Sequence, residues 1–371
     1  MKFRKGATKQ PKQAISTCRS QGKRKTTAED NRDTQFTPRA TSSRRHDDDT
    51  SSTGSLPSSE SLSRTSARSP TKISPLQLDP AGFEIGPLDL DDPDMSEAAK
   101  QLTEEIDTIA AGHQVVPATL KSNIEELKKN SRSYVSFRDY VYTEIDEGNQ
   151  IYTDQLLKDV LKTVAVAQEC QRMEQDETGW NHIVHSPLLD TILDRQSQYI
   201  TGFVPCMTAS ILPKWRLQSK LGTRVDYAIV INPEHDPQPG VQNAIQRLRC
   251  TLPEASANHT GSAPLRHRPI GVSIEKKRYG GHERKAEYQL GIWHSAQWKL
   301  LAEQAGDHIN HLAFIPGIIV QGHDWKLIVT TNNGGKTRLW ASRQFGSTQT
   351  PLGTFQVVAG EPIAPEKLRY P

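Results

Sequence analysis

The sequence predicts an α/β fold in which a mixed central β-sheet is flanked by helices, and three observations support this class. From about residue 150 onward, short apolar runs typical of strands are interspersed with segments of helical periodicity. Their order is helix, helix, three strands, a long helix and further strands. Hydrophobic residues make up only 35% of the 371-residue chain, so part of the chain is expected outside this core.

The first part of the chain, residues 1–90, is predicted to be a disordered basic tail. Residues 1–80 contain 14 Ser, 11 Thr and 6 Pro but only two aromatic residues, too few apolar groups to offset the entropy lost on ordering. They also carry 16 Lys/Arg against 8 Asp/Glu. Basic runs such as Lys23–Lys25 act as nuclear import signals or nonspecific nucleic-acid contacts, although many such runs in tails do neither.

The next segment, residues 91–150, is predicted to be an acidic helical lead-in. Apolar residues recur at spacings of three and four from Ala98 to Ala110, and a weaker pattern runs from Thr119 to Leu127. Residues 81–150 carry 15 Asp/Glu against 6 Lys/Arg. We interpret this segment as packed on the body of the protein, and a coiled-coil-like partner helix is the alternative.

The body, residues 151–371, begins with two predicted helices. The first is capped by Thr153 or Asp154 and extends to Ala167, and the second follows Trp180 with Pro187 near its first turn. A third, strongly amphipathic helix follows Gly280 and Gly281. The predicted strands are Ile200–Ile211, Arg224–Ile231, Pro269–Lys277, Leu312–Val320, Trp325–Thr330 and Thr354–Val358.

Two segments between these elements have distinct compositions. Residues 232–268, rich in Pro, Asn, His and Arg, form a long insertion with a short predicted helix from Val241 to Leu252. The run Asn332–Gly335 is typical of a tight hairpin turn between two strands.

Several classes of protein are disfavoured. No apolar run approaches the roughly 20 residues that cross a bilayer, and the charged N-terminus lacks the apolar core of a secretory signal. The predicted location is therefore nuclear or cytoplasmic, with the basic tail slightly favouring the nucleus. No P-loop or G-x-S-x-G serine motif is present. The pairs His182/His185 and His308/His311 have spacings that can ligate zinc, but no further ligand completes either set, which favours structural roles.

Charged residues interrupt two strands that are otherwise apolar. Because side chains alternate along a strand, we expect Ile270, Val272 and Ile274 on one face and Ser273, Glu275 and Lys277 on the other. The preceding strand carries a second acid, Asp226. Burying an unpaired carboxylate costs several kcal/mol, so packing alone does not explain these choices. Two such strands, each bearing an acid, can hold a divalent cation.

Five ordered sequence blocks add a family resemblance. They are Trp180–Leu189, Val225–Tyr227, Pro269–Lys277, Gln289–Trp293 and Pro316–Trp325. Together they resemble the PD-(D/E)XK nuclease superfamily, which has a restriction-endonuclease-like fold, and more closely its nuclease-like domain found widely in filamentous fungi. The E-x-K triplet alone is weak evidence, whereas the ordered set, which covers most of residues 150–360, is specific.

The resemblance implies a set of site residues and a metal cofactor. Asp226, Glu275 and Lys277 look like the catalytic acids and lysine, and Glu177 looks like the helical acid that often precedes them. The implied ligands of Mg²⁺, or alternatively Mn²⁺, are Glu177, Asp226 and Glu275, while Lys277 would orient a water or neutralise charge on the phosphate. Gln289 is similar in placement to a glutamine that positions the site, and a solvated polar residue is the alternative.

Two functions remain open at this point. The first is a metal-dependent nuclease acting on DNA, which the joint presence of Asp226, Glu275 and Lys277 favours. The second is a catalytically inactive nuclease-like domain that binds nucleic acid or protein. Asp226 and Glu275 are 49 positions apart, so the insertion must lie between paired strands if the acids are to meet.

The charge around the proposed site suits a polyanionic partner. From Lys214 to Lys285 the chain has 13 Lys/Arg against 6 Asp/Glu. The expected phosphate contacts are Arg247, Arg249, Arg266, Arg268, Lys276 and Arg278. A solvated basic surface is the alternative interpretation, and the sequence predicts no oligomeric state.

Overall fold

The computed structural model describes residues 82–144, 150–196, 200–217 and 223–360. Most of the predicted tail, residues 1–81, lies outside the described residues. Across the described residues the fold is α/β, with a seven-stranded mixed sheet flanked by helices, as predicted. We find among these residues no helix with the length and apolar composition of a bilayer-spanning segment.

The sheet contains two parallel strand pairs within an otherwise antiparallel arrangement. Its strands are β1 (Phe83–Gly86), β2 (Thr201–Pro205), β3 (Tyr227–Ile231), β4 (Ile270–Lys277), β5 (Ile315–Gln321), β6 (Asp324–Asn333) and β7 (Lys336–Ser347). Their spatial order is β1-β7-β6-β5-β4-β3-β2. The parallel pairs are β1 with β7 and β4 with β5, so β4 lies near the middle of the sheet.

The helices surround this sheet and are joined by short 3₁₀ turns. They are α1 (Glu97–Ala110), α2 (Lys121–Asn130), α3 (Gln150–Arg172), α4 (Glu177–Trp180), α5 (Ser186–Gln196), α6 (Val241–Thr251), α7 (Glu283–Ala305) and α8 (Pro351–Ala359). A π-helical turn, Asn181–His185, joins α4 to α5. Side chains of Ser96 and Asp176 cap α1 and α4 by accepting backbone N–H groups that have no partner within those helices.

Apolar side chains on both faces of the sheet hold the helices in place. The cluster on one face includes Ala228, Val230, Ile270, Leu290, Trp293 and Ala296, and therefore joins β3 and β4 to α7. The cluster on the opposite face includes Ala99, Leu102, Ile106, Leu189, Tyr227, Val272, Ile274 and Trp325, joining the sheet to α1 and α5. The predicted lead-in is thus packed on the body.

The hairpin predicted at Asn332–Gly335 is confirmed. β6 ends at Asn333 and β7 begins at Lys336, so the loop consists of Gly334 and Gly335. Both glycines have positive φ, 59° and 93°, the conformation that a two-residue hairpin loop of type I′ requires and that residues with a Cβ adopt only at a cost.

Several predicted elements differ from the structure, three of them in type or by several residues. The prediction of a strand at Thr354–Val358 is wrong, because Thr350 caps α8 by accepting the Gly353 N–H at 3.1 Å. The strand predicted to continue to Ile211 ends at Pro205, where a turn begins. Finally, β1 lies inside the segment assigned to the tail, so the fold includes residues before residue 91.

A β-bulge corrects one expectation about β4. In its pairing with β3, Ile229 lies opposite Val272 but Val230 lies opposite Ile270, so Gly271 has no partner in the register. The irregularity turns Ile270 to the α7 face, whereas Val272 and Ile274 face α1 and α5. The expectation that Ile270 shares their face is therefore wrong.

Candidate active site

Two acidic residues meet where β3 begins and β4 ends. These strands are antiparallel, with Tyr227 opposite Ile274. The Asp226 N–H donates to the Ile274 carbonyl at 3.0 Å, which places Asp226 beside the C-terminal end of β4. The insertion of residues 232–268 therefore lies between paired strands, and it does not separate Asp226 from Glu275.

Asp226 is partly buried and held by backbone groups. Its Oδ2 accepts a hydrogen bond from the Lys276 N–H at 2.8 Å, and its carbonyl accepts one from the Cys206 N–H at 2.9 Å. Burial raises the pKa of Asp226, while the positive charge and the N–H of Lys276 partly offset this rise. The carboxylate is thus fixed in orientation by the strand that carries Glu275.

Glu275 is the most buried acid at this end of the sheet, with only 2% of the residue exposed. Its Oε1 accepts a hydrogen bond from Lys277 Nζ, but within the described residues its Oε2 has no hydrogen-bond partner. Burial and the nearby charge of Asp226 raise the pKa of Glu275 to about 8. A buried carboxylate oxygen without a hydrogen-bond donor is stabilised when a proton, a cation or a further donor binds it.

Lys277 lies between the acids. Its Nζ donates to Glu275 and to the Lys276 carbonyl, the latter at 2.7 Å, and is 4.0 Å from Glu177 Oε1. The structure therefore brings Glu177, Asp226, Glu275 and Lys277 to one end of the sheet.

Glu177 differs from the other acids in its surroundings. It is the first residue of α4, and about half of its side chain is exposed. No group of three or more His, Cys, Asp or Glu residues in the described part of the chain is arranged to hold a metal ion. The Lys277 ammonium lies between Glu177 and Glu275, and the ligand set of Glu177, Asp226 and Glu275 stays a prediction.

The donor chemistry of the remaining pair still fits a hard divalent cation. Asp226 and Glu275 offer carboxylate oxygens on adjacent strands, and Glu275 Oε2 is buried without a partner in the described residues. Two protein carboxylates, with water and a phosphate oxygen as further ligands, are sufficient for Mg²⁺.

Gln289 lies on α7 next to the strand that leads to Asp226. Its Nε2 donates to the Arg224 carbonyl at 3.3 Å. Its Oε1 is buried and accepts no hydrogen bond from any described residue. This placement agrees with a positioning residue, because the amide links α7 to the backbone two residues before Asp226.

Two expected phosphate contacts are wrong. Lys276 is 1% exposed, since alternation along β4 turns it away from Glu275 and Lys277 and toward the Tyr227 ring, 4.4 Å from Nζ. Arg249 is also buried, and it donates to the Ala255 carbonyl and to Gln246. Neither side chain is available to a phosphate backbone.

Sequence reasoning missed the role of Lys276 in this site. Burial lowers the pKa of Lys276 to about 7, and no described residue accepts a hydrogen bond from its Nζ. The signal was present in the sequence, because alternation along the strand puts Lys276 on the same face as Val272 and Ile274, which the flanking helices cover.

Trp and His side chains of the Trp180–Leu189 and Pro316–Trp325 blocks form an aromatic cluster at this end of the sheet. Trp180 stacks on His185, with ring centroids 5.6 Å apart, and meets His323 edge-on at 4.9 Å. His185 Nε2–H donates to the Gly322 carbonyl at 3.2 Å. This bond gives His185 a structural role, which the sequence favoured for the His182/His185 pair.

A family model described as the PD-(D/E)XK nuclease superfamily matches residues 126–361. The matched region contains all five residues predicted for the site: Glu177, Asp226, Glu275, Lys277 and Gln289. No curated protein and no solved structure matches the chain significantly.

Proposed function

Because the chain belongs to the PD-(D/E)XK nuclease superfamily, we propose that it hydrolyses phosphodiester bonds in DNA in a metal-dependent reaction where β3 begins and β4 ends. The observation that carries this proposal is the convergence of Asp226 and Lys277 on the buried carboxylate of Glu275. Burying two acids and a lysine costs free energy of folding, since each group must be desolvated. A domain that only binds has no need of this cost.

The proposed cofactor is Mg²⁺, with Mn²⁺ as an alternative, held by Asp226 and Glu275. When bound, such a cation polarises the scissile phosphate and lowers the pKa of a coordinated water. Because the pKa of Glu275 is about 8, this carboxyl is largely protonated at neutral pH without a cation. Metal binding at neutral pH should therefore release a proton from Glu275.

Lys277 supplies positive charge in the proposed reaction. Its ammonium is fixed by Glu275 and by the Lys276 carbonyl, so it needs no reorganisation when negative charge develops on the phosphate. We assign Glu177 to holding Lys277 from the α4 side. Gln289 would act as a positioning residue, by fixing the backbone that leads to Asp226.

The test uses the full chain with linear, circular and single-stranded DNA in Mg²⁺ or Mn²⁺, and an EDTA control. Lys277→Ala should lower cleavage roughly a hundredfold or more, as expected for loss of one fixed electrostatic group, and should keep metal binding. Asp226→Asn and Glu275→Gln should lose metal binding and cleavage together. Lys299→Ala, an exposed lysine on α7, is the matched control and should cleave normally.

A catalytically inactive domain that binds nucleic acid is the second candidate. It is favoured by the ion pair between Lys277 and Glu275, in which the ammonium already occupies one oxygen of the buried carboxylate. Full cleavage by Lys277→Ala, or DNA binding with no cleavage under any metal condition, would overturn the catalytic proposal and leave this candidate.

A further inference from the structure

Two large apolar side chains are exposed at the same end of the sheet as the acids. Tyr279 is 56% exposed and Met207 is 45% exposed. Tyr279 lies two residues beyond Lys277, on the β5 side of β4. Met207 follows Cys206, whose N–H donates to the Asp226 carbonyl, and so lies on the β2 side of β3. The backbone segments that carry the two side chains therefore lie on either side of the strand ends that carry Asp226 and Glu275.

Tyr279 is held in place although its ring faces solvent. The Gly322 N–H donates to the Lys277 carbonyl at 2.9 Å, which brings Gly322 against Tyr279. The approach is so close that a Cβ on Gly322 would lie 3.0 Å from the Tyr279 Cβ. The ring also meets His323 edge-on, with centroids 6.4 Å apart. An aromatic ring that is fixed at its base and exposed above it is typical of a binding surface.

Met207 is positioned by its own set of contacts. It lies in a turn closed by the hydrogen bond from the Ala209 N–H to the Cys206 carbonyl, at 2.8 Å. Its sulfur accepts a hydrogen bond from Asn181 Nδ2 at 3.5 Å. A methionine thioether is polarisable and packs well on flat aromatic faces, so Met207 suits the same kind of ligand as Tyr279.

Positive charge at this end of the sheet completes the recognition chemistry. Arg224 and Arg278 are exposed, and each lies within three residues of a site acid. Their guanidinium groups suit phosphate oxygens, while the apolar side chains suit the faces of bases. A single-stranded nucleic acid offers both groups on every nucleotide, whereas in a duplex the base faces are covered by their neighbours.

We propose that Tyr279 and Met207 form a base-stacking subsite, which makes single-stranded DNA and single-stranded ends the preferred substrate over uninterrupted duplex. This inference rests on the proposed function, because it names the substrate class of the same site. The strand would enter with a base against Tyr279 and its phosphate near Lys277.

The test measures binding of the full chain to labelled oligonucleotides by fluorescence anisotropy in EDTA, so that no cleavage occurs. The probes are a single strand, an abasic strand with the same phosphates, and a blunt duplex. Tyr279→Ala should weaken binding of the normal strand by roughly 5- to 100-fold, the range expected for one lost stacked base, and should leave abasic and duplex binding within about twofold. Tyr279→Phe keeps the ring and should bind normally.

Tyr140→Ala is the matched control. Tyr140 is 48% exposed, and its ring contacts His113, remote in sequence from the site residues. Its removal should not change binding of any probe. An equal loss by Tyr279→Ala on normal and abasic strands, or no loss on either, would overturn the stacking subsite.

A parallel cleavage assay in Mg²⁺ separates this inference from the proposed function. If the chain cleaves DNA but Tyr279→Ala has no effect on single strands, the stacking subsite fails and the nuclease function stands. If Tyr279→Ala loses strand binding but no variant cleaves, the nuclease function fails and the subsite stands. Absence of binding to all three probes in EDTA contradicts the stacking subsite, and the nuclease function is then decided by cleavage in Mg²⁺.

Discussion

Adjacent residues of β4 bury an acidic and a basic group on the two faces of the sheet. Glu275 faces α7, and Lys276 faces Tyr227 and the α5 side. Burial raises the pKa of Glu275 to about 8 and lowers the pKa of Lys276 to about 7. Both shifts favour the neutral forms, so the charge of this strand end changes within the physiological pH range.

Replacing Lys276 with methionine should stabilise the protein in a pH-dependent way. The folded pKa of about 7 is below the unfolded value of roughly 10.4, so the unfolded chain binds more protons between these values and stability rises with pH across that window. The free-energy cost of burying the charged Lys276 side chain is fully present below pH 7. Lys276→Met should therefore raise the free energy of unfolding by about 1–3 kcal/mol at pH 6.5, and by less at pH 10.

Urea unfolding at the two pH values measures this effect. Lys299→Met, at an exposed position of α7, should show no such dependence. A stabilisation by Lys276→Met that grows toward pH 10 would contradict a buried lysine with a lowered pKa.

At the scale of elements, the insertion between β3 and β4 is tied to the start of β4. Asn258 Nδ2 donates to the Leu265 and Arg268 carbonyls at 2.6 and 2.9 Å. Its Oδ1 accepts the Ile270 N–H at 2.9 Å. One buried amide thus closes the insertion and fixes the first residue of the strand that carries Glu275 and Lys277.

Loss of this amide should destabilise the protein without disturbing the site chemistry directly. Asn258→Ala leaves two carbonyls and one N–H without their partner, at a cost of about 1–3 kcal/mol for each buried group left unsatisfied. We expect a lower urea midpoint with an unchanged slope. Asn243→Ala, an exposed residue of α6, is the control. A midpoint equal to that of the control would show that the insertion is not anchored through Asn258.

Local signals explain which elements the sequence predicts. The Asn332–Gly335 turn and the amphipathic helix α7 depend on residues close together in the chain, and both were predictable. The Thr354–Val358 error arose because β-branched residues resemble a strand, although the Thr350 cap precedes them. β1 was missed because a four-residue edge strand exists only through its parallel pairing with β7.

The same distinction between local signals and long-range contacts applies to the site residues. Alternation along β4 was enough to place Glu275 and Lys277 on one face, and the strand pairing brings Asp226 beside them. The contact of Lys277 with Glu177 could not be predicted, because it depends on how α4 packs at the end of the sheet. The burial of Lys276 likewise requires the aromatic ring of Tyr227 on the neighbouring strand.

At the scale of the whole molecule, the fold extends beyond the family-matched region toward the N-terminus. The match begins at residue 126, yet β1 and α1 precede it and pack on the sheet. Arg338 of β7 reinforces this attachment by pairing with Asp92 at 2.8 Å and with Asp94 at 2.9 Å. The edge strand β1 therefore consists of residues that the family model does not include.

Phe83 provides the test of this attachment, because it is the buried aromatic residue of β1. Phe83 is 1% exposed, and its ring meets Tyr288 edge-on with ring centroids 5.7 Å apart. The ring also lies so close to Gly291 that a Cβ on this glycine would be 2.5 Å from it. Phe83→Ala should leave a cavity against α7 and lower the free energy of unfolding by about 3–5 kcal/mol. Val135→Ala, at an exposed position, should cost little. Equal stability of the two variants in urea would mean that β1 is dispensable and that the matched region folds without it.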